Sequence, residues 1–150
     1  MTKEGSPLSI DLPQPPVDEL DWEPALSWLP VLAADRFEPG GFEGGGEIQP
    51  GWFNARFAVL APEAEAFISC LYETGIVTGA DWKTWLEEGG VSLYRNPERL
   101  ATATLEECRI LLIAHVRNDR FVEGHLLSIL RDGHLVAVLE RIQALVRPTG

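Results

Sequence analysis

Apolar residues recur at intervals of three and four along most of the chain after Pro62, the spacing that places them on one face of a helix. Thr104 and Glu107 match a capping box in front of the first long run, which marks a helix start. A second run falls at about 120–131, and a third follows Asp132-Gly133. The three faces comprise Leu105, Cys108, Leu112, His115 and Val116; Val122, Leu126, Ile129 and Leu130; and Leu135, Val138, Leu139, Ile142 and Leu145. The sequence therefore predicts a mainly helical core.

Shorter helices are predicted upstream of these runs. One begins at Asp21, and Pro30 falls inside its apolar stripe, so this helix either kinks there or ends and restarts. A second begins at Pro62, a favourable first helical position, and ends at Gly75. A third, short helix is capped by Asp81 and stops at a pair of glycines.

Residues 36–60 change from helical spacing to strand spacing. After Pro50-Gly51, side chains alternate between the two faces of a strand in the run Trp-Phe-Asn-Ala-Arg-Phe-Ala-Val-Leu. An antiparallel pair of about 37–48 with 51–60 is therefore predicted. The triple glycine Gly44–Gly46 is interpreted as a flexible hairpin tip. A phosphate-cradling loop is the alternative, but no lysine, serine or helix start follows the glycines.

These elements define a single α+β domain over residues 21–150, predominantly helical, with a small antiparallel sheet near residues 36–60. Ile76-Val77 is too short to assign but could add an edge strand. Residues 1–20 are rich in proline and lack periodicity. They are predicted to form a tail that either drapes over the domain or stays mobile.

The chain is acidic, with a net charge of −11. Because phosphate backbones are bound largely through lysine and arginine, this charge argues against direct nucleic-acid binding. No apolar run approaches the ~20 residues of a membrane span, and the N-terminus lacks the features of a signal peptide. Cys70 and Cys108 fall inside helical patterns, which favours free thiols in a reducing compartment. The sequence therefore predicts a cytoplasmic protein without membrane contact.

The charged segment Arg117–His125 lies between two strongly apolar runs. Polar groups packed that densely beside a core are costly unless they are paired, exposed or used. Asp119 is placed to cap the helix that follows, and Arg120 and Glu123, three apart, can form an ion pair along it. Gly124 is expected inside that helix, where it permits close approach of another backbone or a ligand.

Two interpretations of the charged segment stay open. In the first, which is preferred, it is a turn between core helices, held by the cap and the ion pair. In the second it forms a small pocket for an anion or polar ligand, lined by Arg117, Asp119, Arg120 and Glu123. The two arginines would then be hydrogen-bond donors, and Glu123 an acid or base.

Other chemistries find little support in the sequence. His115, His125 and His134 are ten and nine residues apart, unlike the i, i+4 pair of helical zinc sites, so no metal is predicted. His115 falls on an apolar stripe and is expected to be a hydrogen-bonded core residue. Neither cysteine lies in a local basic setting that would lower its pKa, and no Gly-x-Ser-x-Gly motif occurs. We therefore expect no cofactor, and the balance leans against an enzyme.

Five tryptophans are many for this length. Trp82 and Trp85 lie three apart on a short helix, so at least one should be buried. Trp28 and Trp52 fall off the predicted apolar faces. They either cover the core beneath the proline-rich tail, the preferred interpretation, or form an exposed patch for a partner or ligand.

The segment Asp-Arg-Phe-x-Glu-Gly at Asp119–Gly124 is the most distinctive of several motifs that follow one another in a fixed order. The others are Trp28–Leu32, the strand ending at Leu60–Pro62, Phe67–Tyr72 before Gly75, Asp81-Trp82 with Trp85-Leu86, Val116–Leu126, and Gly133–Leu135. Over about residues 25–145, this series resembles a family of bacterial proteins that share a domain of unknown function. The resemblance implies a soluble bacterial protein of mainly helical α+β fold. It implies no activity, cofactor or catalytic residue.

The function itself is unknown from the sequence, and three hypotheses remain. The leading one is a non-enzymatic, acidic protein-interaction module of the bacterial cytoplasm, which binds a protein partner or forms a homodimer. The main alternative is a small-molecule or anion-binding protein, or an enzyme, that uses the segment from Arg117 to Glu123. A weaker alternative is a nucleic-acid mimic that binds a basic protein.

Overall fold

The computed structural model describes residues 10–53 and 55–147. Its helices are α1 Glu23–Leu26, α2 Leu29–Leu32, α3 Pro62–Glu73, α4 Trp82–Trp85, α5 Val91–Arg95, α6 Pro97–Leu100, α7 Leu105–Asn118, α8 His125–Arg131 and α9 His134–Val146. A short 3-10 helix at Val17–Glu19 and a π-helical turn at Leu86–Gly90 complete them. Its strands are β1 Gly40–Glu43, β2 Glu47–Gln49, β3 Trp52–Phe53 and β4 Phe57–Leu60. The predicted class, a mainly helical α+β fold with a small antiparallel sheet near residues 36–60, is confirmed.

Helix α7 lies at the centre of the core. The expected capping box is present, since the Thr104 hydroxyl accepts from the Glu107 N–H and the Glu107 carboxylate accepts from the Thr104 N–H. Every residue from Glu107 to Val116 is buried, so the helix is covered on all sides rather than along one stripe. Helices α4, α8 and α9 pack against it. A helix with this environment can carry polar side chains only where partners meet them inside the fold.

The strands form one interrupted hairpin. Strand β1 pairs antiparallel with β4, with Gly40 opposite Leu60, and β2 pairs with β3. The chain reverses at Pro50-Gly51, between β2 and β3. The prediction that Gly44–Gly46 form the hairpin tip is therefore wrong: these glycines lie between β1 and β2. A Cβ on Gly44 would come within 1.9 Å of the Ala55 carbonyl oxygen, so the backbone between β1 and β2 lies directly against the backbone between β3 and β4.

The predicted helix at 120–131 is shorter than expected and begins at His125. Gly124 precedes it with φ +82°, a left-handed conformation that a side chain would strain. A Cβ there would also lie 2.8 Å from the Phe42 ring. Gly124 therefore allows strand β1 to approach the turn, but from the end of the helix and not from its interior.

The structure also decides three alternatives that the sequence left open. The helix from Asp21 ends and restarts, and Pro30 takes a first-turn position of α2. Ile76-Val77 is buried in the core, but as a loop, so the edge strand considered there is absent. The described part of the proline-rich tail lies on the domain, where Ile10 and Leu20 pack against the core.

Among the described residues, no helix combines the length and apolar character needed to cross a bilayer.

Candidate functional site

The structure separates the four predicted site residues into two pairs. Arg117 and Arg120 line an open hollow at the surface, whereas Asp119 and Glu123 bond to backbone groups of the fold. The expected Arg120–Glu123 ion pair is absent among the described residues, because residues 120–124 form a turn and not a helix. Asp119 and Glu123 thus hold the turn of the first interpretation, and Arg117 and Arg120 are the residues on which the second, a ligand pocket, now depends.

Asp119 and Glu123 have structural roles. The Asp119 carboxylate accepts from the Leu126 N–H at 3.0 Å, which caps α8 from seven residues away. The Glu123 carboxylate accepts from the Ala58 N–H of β4 at 2.7 Å and so ties the hairpin to the charged segment. Bound in this way, Glu123 is not placed to act as an acid or base beside the two arginines.

We call the hollow beside the two arginines the cation hollow. It encloses about 310 Å³, and it is lined by Gly79, Ala80, Trp82, Lys83, Arg117, Arg120 and Phe121. Three cationic side chains thus face one surface depression with two aromatic rings at its edge. Phe121 is 65 % exposed, so its ring is available to a ligand.

Two of the three cations of the hollow, Lys83 and Arg117, lie against aromatic rings and not against carboxylates. The Lys83 ammonium lies 4.2 Å from the centre of the Phe121 ring, and the Arg117 guanidinium lies 5.7 Å from the centre of the Tyr72 ring. Within residues 10–53 and 55–147, no carboxylate forms an ion pair with Lys83, Arg117 or Arg120. A cation–π contact leaves the N–H donors largely unused, so the hollow keeps hydrogen-bonding capacity for an anion.

A second hollow, which we call the Thr78 cavity, adjoins the first. It encloses about 640 Å³ and shares Gly79 and Ala80 with the cation hollow. Its other lining residues are Ile10, Asp11, Leu12, Pro13, Gln14, Thr78, Asp81 and Thr84. The Thr78 hydroxyl is buried and has no hydrogen-bond partner among the described residues. A buried hydroxyl without a partner costs free energy that a ligand can recover.

The three histidines, distant in sequence, meet between α7, α8 and α9. His115 Nδ1 lies 2.9 Å from His125 Nε2, and His115 Nε2 lies 2.9 Å from His134 Nε2. The Tyr94 ring packs against this cluster at a tilt of 58° to the His134 ring, with the two ring centres 4.7 Å apart. A neutral His115 donates through one nitrogen and accepts through the other, which fits a chain of three neutral rings.

Burial keeps the histidine cluster uncharged. Desolvation, reinforced by the two neighbouring imidazoles, lowers the pKa of His115 well below its ordinary value. Desolvation also lowers the pKa of His125 and of His134, and Asp132 opposes the shift at both. The prediction that His115 is a hydrogen-bonded core residue is confirmed.

The geometry of the histidine cluster does not suit a metal ion. The two nitrogens of His115 point to different neighbours, so the three rings share no common point at which an ion could bind. Within residues 10–53 and 55–147, no group of three or more histidine, cysteine, aspartate or glutamate side chains is arranged to hold one.

Neither cysteine is activated as a nucleophile. Both thiols are free, and burial raises the pKa of Cys108 to about 12. Burial and the nearby Glu73 carboxylate raise the pKa of Cys70. Since the thiolate is the reactive form, both groups are chemically quiet at neutral pH.

The sequence predicted two of the three cations of the hollow, Arg117 and Arg120, but not Lys83. Lys83 follows Trp82 on a short helix, and nothing in the sequence links that helix to Arg120. The aromatic prediction was partly right, since Trp85 is buried and Trp82 half-buried. Trp28 packs against the core, whereas Trp52 is 67 % exposed, which contradicts its expected burial.

Comparison with known proteins identifies the family. The model of a family of unknown function, DUF6508, matches residues 17–148, and the chain belongs to that family. No curated protein and no solved structure matches the chain. The expected relationship to a domain of unknown function is therefore confirmed.

Proposed function

We propose that this protein binds a small anionic ligand in the cation hollow. The observation that carries the proposal is the convergence of Lys83, Arg117 and Arg120 on one open hollow without a carboxylate partner among the described residues. Phosphate is the anion that best matches such a set, because guanidinium groups donate in pairs to its oxygens.

The charge of the whole chain strengthens this interpretation. The net charge is −11, so a hollow lined by three cations runs against the average electrostatics of the surface. Several other arginines are already engaged: Arg99 pairs with Glu107, Arg131 donates to the Gly40 carbonyl and Arg141 to the Ala103 carbonyl. An acidic surface around a cationic hollow also disfavours large polyanions such as nucleic acids, because their outer phosphates would be repelled.

The binding prediction is tested with an Arg120→Met variant. We expect this change to weaken the binding of inorganic phosphate or pyrophosphate by about tenfold, equivalent to about 1.4 kcal/mol, because one charge-assisted donor pair is lost. Isothermal titration calorimetry on the full chain at low ionic strength measures the dissociation constant. Arg36→Met is the matched control, since Arg36 is exposed and lies outside the hollow.

Two results would contradict anion binding at this site. One is the absence of any heat of binding for phosphate and pyrophosphate at millimolar concentration. The other is an equal loss of affinity in the Arg120→Met and Arg36→Met variants, which would indicate attraction by surface charge in general. Circular dichroism of both variants checks that they fold.

We also propose, as a second function, that two copies of the chain associate through the hairpin. Its side chains include an exposed apolar set, namely Phe42, Ile48, Trp52, Phe53 and Phe57. Residues 40–60 carry a charge of only −1, from two glutamates and one arginine, in a chain of −11. Two strongly acidic molecules can approach each other most easily where local charge is this low. An edge strand also offers unpaired backbone groups to a second hairpin, in a contact with two-fold symmetry.

The hairpin prediction is tested by light scattering coupled to size-exclusion chromatography. The wild-type chain is expected to show a dimer at concentrations of tens of micromolar, and a Trp52→Ser/Phe53→Ser variant to run as a monomer, because the two most exposed apolar side chains of the hairpin are removed. A Tyr72→Ser variant, which removes an exposed aromatic side chain elsewhere, should leave the dimer unchanged. A monomeric wild-type chain would refute self-association, and apolar capture of another protein would become the alternative.

The proposed setting is the bacterial cytoplasm. Two features support it: the free thiols Cys70 and Cys108, which suit a reducing compartment, and the resemblance to a bacterial family. Anion binding and self-association use different surfaces, so one molecule can do both.

A further inference from the structure

We propose that the ligand is a phosphorylated polyol, such as a sugar phosphate, with its phosphate in the cation hollow and its hydroxylated part in the Thr78 cavity. This inference rests on the proposed anion-binding function and names the class of ligand. The two hollows meet at Gly79-Ala80, which line both. Two residues of extended chain span about 7 Å, so one small molecule can occupy both hollows.

The lining of the Thr78 cavity suits neutral hydroxyl groups. Carboxylates of Asp11 and Asp81 accept hydrogen bonds, and the Gln14 amide both donates and accepts. Each hydroxyl of a polyol is likewise a donor and an acceptor, so it can satisfy such a mixed set. The cavity volume of about 640 Å³ lies within the range of roughly 300–1,000 Å³ typical of small-molecule sites.

The charges of the two hollows orient the ligand. A phosphate is repelled by Asp11 and Asp81 and attracted by the three cations of the neighbouring hollow. Only one direction of binding therefore places both ends of a phosphorylated polyol favourably. A free phosphate would use the cation hollow alone and gain nothing from the Thr78 cavity.

A substitution of Thr78 provides the most direct test of this proposal. Thr78 is one of the residues that line the cavity, and its hydroxyl oxygen is buried and lacks a partner among the described residues. Valine has nearly the shape of threonine without the hydroxyl. A Thr78→Val variant therefore removes no hydrogen bond among these residues, and its fold should be as stable as that of the wild type. A loss of affinity in this variant would then report a contact with the ligand and not a loss of structure.

The experiment compares affinities by isothermal titration calorimetry on the full chain. The probes are inorganic phosphate, glucose 6-phosphate, sorbitol 6-phosphate, glucose and phosphoethanolamine. We expect at least one of the two phosphorylated polyols to bind ten times more tightly than phosphate, and glucose alone not to bind measurably. Thr78→Val should weaken its binding three- to tenfold without affecting phosphate, and Thr78→Ser, which keeps the hydroxyl, should retain most of the affinity.

The outcomes distinguish this proposal from the one on which it rests. If phosphate binds but neither phosphorylated polyol gains affinity over it, the polyol proposal is wrong and anion binding stands. Tighter binding of phosphoethanolamine than of both polyol phosphates would also overturn it, in favour of an ammonium group between Asp11 and Asp81. An unchanged affinity in Thr78→Val would place the ligand outside the Thr78 cavity. If no phosphate-bearing probe binds, both proposals fail.

Discussion

An Arg109→Met variant is expected to lose about 3–5 kcal/mol of its free energy of unfolding, the largest effect of any single substitution considered. The Arg109 side chain is 1 % exposed and donates to four backbone carbonyls. Its Nε donates to Ile76 at 3.0 Å and its Nη2 to Gly75 at 2.8 Å. Its Nη1 donates to Pro13 and Pro15 in the N-terminal segment. Methionine fills similar space but leaves these acceptors without donors.

The four bonds also explain why the N-terminal segment lies on the domain. Pro13 and Pro15 are more than ninety residues from Arg109 in sequence, and prolines have no N–H of their own to donate. Their carbonyls are held by a guanidinium that has no carboxylate partner among the described residues. Burial lowers the pKa of this guanidinium, but carbonyl dipoles around it compensate for the lost water.

Urea denaturation at neutral pH measures the loss, and hydrogen exchange of residues 10–20 reports whether the segment detaches. Arg147→Met is the matched control. Arg147 pairs with Glu23 on the surface, where solvent screens the ion pair and its contribution to stability is small. If both variants lose the same small amount, the Arg109 bonds do not hold the N-terminal segment in solution.

Helical spacing predicted most of the fold because burial in this chain is organised by helices. The first predicted stripe is buried except for Ala33, and the face of the last helix is buried except for Leu145, which is half-buried. The buried members are Trp22, Ala25, Leu26, Leu29 and Leu32 in the first and Leu135, Val138, Leu139 and Ile142 in the last. The capping box at Thr104 located a helix start to the residue. These signals are local: each depends on side chains within one or two helical turns, and the sequence alone contains that information.

The errors lie where a distant partner decides the local structure. Residues 120–124 have helical spacing, but Glu123 bonds to Ala58, 65 residues away, and Gly124 adopts a left-handed conformation against Phe42. The contact with the hairpin therefore determines where helix α8 begins. The residue pattern of the charged segment alone contains no information about this distant contact.

The candidate site shows the same division. Arg117 and Arg120 could be predicted because so many charged side chains in a short segment are unusual beside a core, and this feature is visible in the local sequence. Lys83 was not, since its place in the hollow depends on how α4 packs against α7. The histidine cluster was missed for the same reason: spacings of ten and nine residues match no single-helix motif, but three helices bring the rings together.

That cluster leads to the second prediction, a loss of stability in mild acid. In the folded protein the pKa of each of the three histidines is lowered, mainly by desolvation, from the ordinary value of 6.5. The unfolded chain therefore binds more protons than the folded one as the pH falls below 6.5, and the free energy of unfolding decreases. The stabilising contribution of neutral histidines is fully present above 6.5 and is lost on acidification.

The size of the effect follows from the number of groups. A histidine that stays neutral in the fold costs up to about 1.4 kcal/mol for each pH unit below 6.5. His125 and His134 retain part of their basicity because Asp132 lies near both and Asp119 near His125. We therefore expect a total loss of about 2–4 kcal/mol between pH 7.5 and 5.5. Carboxylates titrate mostly below this window and contribute little to it.

Urea denaturation at half-unit intervals of pH measures the slope, and proton NMR of the imidazole groups follows each titration separately. A His115→Gln variant should lower stability at pH 7.5, because the two ring contacts of His115 are altered, but its pH dependence should be shallower by at least one third, since His115 has the most strongly lowered pKa of the three. Between pH 7.5 and 8.5 the free energy of unfolding of both proteins should not change with pH. A wild-type stability that stays constant down to pH 5.5 would mean that the three rings gain protons in the fold as readily as in the unfolded chain, in contradiction to their burial.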